Sequence, residues 1–72
     1  MRLQVNGETR DIALPQETLA ALIEQLGMKG DRVAVELNHE IIPRARWSAT
    51  VIRDGDRLEI VHFVGGGSSF RN

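Results

Sequence analysis

The residues best placed to do chemistry stand near the end of the chain. Val61-His62-Phe63-Val64 runs into Gly65-Gly66-Gly67, and Ser68-Ser69-Phe70-Arg71-Asn72 follows. Three successive glycines carry no Cβ and favour no single backbone region, so they suit a thread passing close to another backbone. Such a thread would serve a chain that must enter another protein's narrow active site. An ordinary disordered terminus has the same composition. The run is not a phosphate loop, because no lysine accompanies it and no helix follows. Side-chain catalysis has few candidates. His39, beside Glu40, reads as part of a surface strand connection rather than as a general base. His62 shares the alternation of Leu58 and Ile60 and reads as a strand histidine, packed or partly exposed. Two distant histidines without cysteine make no recognisable metal site. Arg44, Arg46 and Trp47 either dock an acidic partner surface or let Trp47 close the core over a loop.

The elements that must position this ending follow from local patterns. Leu3 and Val5 alternate with Arg2 and Gln4, which predicts a half-buried strand. Asn6-Gly7 is a strong hairpin signal, since a type I′ turn needs φ > 0 at both central residues. A returning strand is expected over Glu8 to Leu14, with Arg10, Ile12 and Leu14 on one face and Pro15 as its stop. Thr18 fits an N-cap, and Leu19, Leu22, Ile23 and Leu26 form the apolar stripe of a short helix over about Thr18 to Leu26. Gly27 fits the C′ position. Val33, Val35 and Leu37 mark a third strand, and Ile41-Ile42-Pro43 a short apolar piece. Arg44 to Val51 has no clear period. Asp54-Gly55-Asp56 is a turn, and Arg57 to Val64 is the last strand.

This order predicts an α+β domain: a mixed sheet of four to five strands with one main helix on one face. The first and last strands pair in parallel at the sheet centre. The predicted inward set is Leu3, Val5, Ile12, Leu14, Leu19, Leu22, Ile23, Leu26, Val33, Val35, Leu37, Ile42, Leu58 and Ile60. Val61 and Phe63 then point away from the helix. They form an exposed docking patch beside the glycines, unless the loop around Trp47 covers them.

At 72 residues the chain is one small domain, divided here into a folded part (1–64) and a glycine tail with a short extension (65–72). Without cysteine there are neither disulfides nor thiol chemistry, which fits a reducing, cytoplasmic setting. The formal net charge of −1 points away from nucleic acid and anionic membranes. No apolar run approaches the roughly 20 residues of a membrane span. The start lacks the apolar core of a signal peptide.

Several segments together resemble the ThiS family, the sulfur carriers of thiamin biosynthesis. They are Leu3-Gln4-Val5-Asn6-Gly7, the helix near Leu22, Val33 to Asn38, Ile41-Ile42-Pro43-Arg44 and above all Asp54 to Gly67. The resemblance implies a β-grasp, ubiquitin-like fold and a carrier protein rather than an enzyme. In that family the reactive group is the C-terminal glycine carboxylate. An E1-like, ThiF-like enzyme adenylates it with ATP, a sulfur donor enzyme converts it to a thiocarboxylate, and a ThiG-like thiazole synthase takes the sulfur. By match, Gly67 would carry the acyl group, Gly66 and Gly65 would form the thread, and Val61, Phe63, Val64 and Gly65 would meet the partners. No cofactor or metal is implied.

The chain departs from the family in continuing through Ser68 to Asn72. While these residues remain, Gly67 is an amide and cannot be adenylated, so a trimming protease is expected, or the chain is inactive as it stands. Two alternatives stay open: a carrier for molybdopterin or another sulfur-containing product, and a non-covalent β-grasp interaction module.

Overall fold

Asn6 and Gly7 take φ of 51° and 82°, the double positive pattern that folds β1 (Arg2–Val5) back onto β2 (Glu8–Asp11). The computed structural model describes residues 1–63. Val64, the glycines Gly65, Gly66 and Gly67, and the expected boundary after residue 64 lie outside the described residues. The returning strand is shorter than the alternation to Leu14 suggests. It ends at Asp11, and all four of its residues are exposed, as befits a short edge strand.

The helix forms where its stripe and caps coincide. Helix α1 (Leu19–Gln25) begins after Thr18, whose hydroxyl accepts the Ala21 N–H at 3.2 Å. It ends before Gly27, at φ 75°. Leu19, Leu22 and Ile23 are buried against the sheet, and Leu26 is half-buried. At seven residues the helix is too short to persist alone, so packing of this stripe holds it.

A 3₁₀ turn (Gly30–Arg32) leads into β3 (Val33–Leu37). Asn38 and His39, at φ 51° and 71°, form a second two-residue turn into β4 (Glu40–Ile41). The chain from Arg44 to Ala49, which showed no period, is a 3₁₀ helix packed beside α1. Trp47 settles its alternative there. It is buried, and its indole N–H donates to the Ile42 carbonyl at 2.9 Å, so it closes the core, while Arg44 and Arg46 stay in solvent. A Cβ at Gly30 would lie 3.1 Å from both the Trp47 ring and Arg44 Nε, so glycine lets the chain pass under the indole. Ile52, absent from the predicted inward set, is fully buried. It is anchored where its N–H donates to the Glu17 carbonyl at 2.9 Å.

The last strand, β5 (Arg57–His62), ends two residues before the expected Val64. The five strands run β2-β1-β5-β3-β4, so β5 is central, parallel to β1 and antiparallel to β3. Leu3, Val5, Val33, Val35, Leu58 and Ile60 face α1 and form one core with Ile12, Ile52 and Trp47. Leu14, Leu26, Leu37 and Ile42 pack at its margin, half-buried rather than fully inward. Among the described residues no helix is long and apolar enough to cross a membrane.

Candidate functional site

Strand alternation decides what the sheet presents on the side away from α1. With Leu58 and Ile60 buried, Arg57, Glu59 and Val61 turn outward, and all three are exposed. Val61 is 60% exposed and lies directly opposite Ala34 of β3. Ile41, 70% exposed, lies opposite Glu36 on the next strand out. Together Ala34, Ile41 and Val61, with Glu36 and Glu59, line an open groove of about 160 Å³. The 3₁₀ helix that carries Trp47 packs beside α1 and leaves Val61 in the open.

Phe63 follows the strand and keeps its ladder for one more step, its N–H donating to the Arg32 carbonyl at 2.7 Å. Its side chain is half-buried, so it is less available than Val61. Ile41 belongs to the apolar patch, although its sequence gave no hint of it. Its place follows from the Asn38-His39 turn, which fixes the register of β4. Two acidic side chains also stand in this face. Glu36 and Glu59 are direct cross-strand partners, an arrangement that repels when unneutralised. Within 4 Å neither has an ion pair among the described residues.

His39 lines a shallow cavity with Glu36, Arg57 and Glu59, on the edge of this face. His39 is exposed in its turn, and His62 is exposed at the end of β5. Among the described residues no group of three His, Cys, Asp or Glu side chains is arranged to hold a metal ion. The glycines themselves, and Val64, lie beyond the described residues.

The model of the ThiS family matches residues 3–67, nearly the whole chain. The chain belongs to the ThiS family. Its sheet order and single main helix are those of the β-grasp fold. It is similar to the crystal structure of the thiamine biosynthesis protein ThiS from Geobacter metallireducens, with a TM-score of 0.77 and 36% identity. That similarity covers 93% of this chain and 100% of the other. It is also similar to the sulfur carrier protein ThiS of Escherichia coli (strain K12), 30% identical over 93% of this chain and 100% of that protein. A thiazole synthase from Paramagnetospirillum magneticum is 46% identical over 94% of this chain. The chain spans only 21% of that protein's length, so the shared segment is part of a much longer polypeptide there.

Proposed function

We propose that this ThiS-family chain carries sulfur for the thiazole of thiamin as a thiocarboxylate on Gly67. The observation that carries the reading is the family match, which runs through Gly67, five positions after the end of the central strand at His62. In this reading an activating enzyme binds the open sheet face at Val61, Phe63 and Ile41, with Val64 and Gly65 at the neck of the thread. The Gly67 carboxylate attacks the α-phosphorus of ATP, pyrophosphate leaves, and an acyl adenylate forms. The terminal sulfur of a persulfide on a donor enzyme then displaces AMP. A second thiol of the donor enzyme attacks the donor-side sulfur of this acyl disulfide, forms a disulfide on the donor and releases the glycyl thiocarboxylate. The chain is a co-substrate, and its partners supply the catalytic side chains.

The glycines fit this role because three of them extend about 10 Å as a thread without side chains. Thiazole is favoured as the destination over molybdopterin by the likeness to proteins named thiazole synthase. A free Gly67 carboxylate requires cutting before Ser68, since a peptide amide offers no nucleophilic oxygen to ATP. The small residues of the Gly67–Ser68 junction are of the kind favoured at sites of proteolysis. A cytoplasmic setting accords with the absence of cysteine.

The test offers two chains to an activating enzyme with ATP and a sulfur donor. One is the 72-residue chain and the other a version ending at Gly67. Intact mass spectrometry should show the replacement of one oxygen by sulfur only in the shorter chain. Gly67→Pro in that version should impair it, because proline fixes φ within the thread. Thiolation of the longer chain with Ser68 to Asn72 retained would rule out the cleavage step. Failure of both chains would favour non-covalent docking through the open face.

A further inference from the structure

The last strand leaves the sheet with different support on its two flanks. On the β3 side, the Arg57 carbonyl accepts the Asn38 N–H and the Phe63 N–H donates to the Arg32 carbonyl. The backbone groups of Arg57, Glu59, Val61 and Phe63 therefore point toward β3, and those of Leu58, Ile60 and His62 toward β1. On the β1 side the main-chain ladder is short. It pairs Gln4 with Arg57 and Val5 with Leu58, and the Asn6 N–H donates to the Leu58 carbonyl at 2.8 Å. There β1 turns away into Asn6-Gly7.

Ile60 has lost its main-chain neighbour on that flank, and the Asn6 side chain stands in for it. Asn6 Oδ1 accepts the Ile60 N–H at 2.6 Å, and Nδ2 donates to the Ile60 carbonyl at 3.2 Å. One amide group thus satisfies both backbone groups of a residue three positions before Phe63. We propose that Asn6 is a positioning residue, which clamps Ile60 and sets where the last strand departs and how the glycine thread is presented. Its role in presentation rests on the carrier reading above.

The molecule contains its own control. Asn38 has the same φ of 51°, occupies the same place in a two-residue turn, and also bonds to the β5 region through its side chain. Its Oδ1 accepts the Arg57 N–H at 3.0 Å, and its Nδ2 donates to Asp56 Oδ1 at 3.1 Å. Those contacts hold the beginning of β5, away from the thread. If both asparagines served only to stabilise the fold, their loss would change the kcat for activation of the folded protein equally. A positioning role makes them differ.

The experiment compares Asn6→Gly with Asn38→Gly, because glycine adopts positive φ without strain and removes only the amide. Amide hydrogen exchange of the 72-residue chain is read residue by residue and corrected for measured global stability. Asn6→Gly should speed exchange at Ile60 by about tenfold, the equivalent of one lost hydrogen bond, and should also speed it at Val61 to Phe63. Asn38→Gly should affect Arg57 and leave Ile60 to Phe63 at wild-type rates. In the version ending at Gly67, Asn6→Gly should lower kcat for activation by about tenfold at unchanged KM, and Asn38→Gly should not. Wild-type exchange at Ile60 to Phe63 in Asn6→Gly would overturn the clamp. Equal loss of kcat in both variants would overturn the positioning role. If the wild-type chain is not activated at all, the carrier reading fails, and the exchange comparison still decides the clamp.

Discussion

On the helix side of the sheet, Leu3, Val5, Val33, Val35, Leu58 and Ile60 are all buried. On the other side Val61 and Ile41 leave most of their surface in water. The central strand β5 contributes to both faces, and Ile60 and Val61 are neighbours in sequence. The difference teaches that strand alternation divides the labour of this small domain. One face holds the fold together, and the other stays exposed. Adjacent substitutions should therefore separate stability from recognition.

The largest effect is expected on the buried face. Leu58 is 1% exposed in the central strand, and Leu58→Ala should cost about 2–5 kcal/mol through lost burial and a cavity. Denaturant unfolding followed by far-UV circular dichroism would measure it. A loss below about 1 kcal/mol would show that the site collapses around the smaller side chain. Trp47→Phe comes next. It removes the indole N–H and leaves the Ile42 carbonyl without that donor, at an expected cost of about 1–3 kcal/mol in the same assay.

The open face should respond in the opposite sense. Val61→Thr keeps the branched shape and the strand preference while setting a hydroxyl in the patch. Unfolding free energy should move by no more than about 0.5 kcal/mol. Affinity for the activating enzyme, measured by titration calorimetry, should fall about tenfold, equivalent to about 1.4 kcal/mol. A substantial loss of stability with unchanged affinity would erase the contrast between the faces. The smallest effect is expected at Gly30→Ala. Its methyl group would press on Trp47 and Arg44 at 3.1 Å, and a shift of the indole should cost about 1 kcal/mol of stability with affinity unaffected.

The parts of the fold that were readable in the sequence are those with a period or a turn signature. The Leu19, Leu22, Ile23 stripe, the Thr18 cap and the Asn6-Gly7 turn all stand as their patterns predict. So does the outward position of Val61, since it follows from alternation against Leu58 and Ile60. The rest was hidden for physical reasons. The 3₁₀ helix Arg44–Ala49 makes only about two turns and buries Trp47 alone, too little to show a period, so the segment looked irregular. Ile52 follows that segment and inherited its apparent disorder of pattern. The connection at Asn38-His39 was readable, but with His39 rather than glycine at the second positive-φ position its tight two-residue form, and with it the register of Ile41, was not. Asn6 was legible as a turn residue, but its bond to Ile60 spans nearly the whole chain and leaves no local trace.

The central place of β5 also governs how the molecule is made. Its register joins Gln4 to Arg57, so closing the sheet requires a loop that encloses almost the entire described chain. Contacts of that sequence separation form late and slowly, because their entropic cost precedes their reward. Until β5 arrives, β1 and β3 have no shared neighbour, and the core lacks Leu58 and Ile60. The slow step is therefore the closure of β1 against β5, since β5 meets β3 across a much shorter stretch of chain. Under the proposed carrier function, a chain in which β5 has not docked would offer no ordered strand ahead of the glycines, and completion of folding would act as a checkpoint on their use.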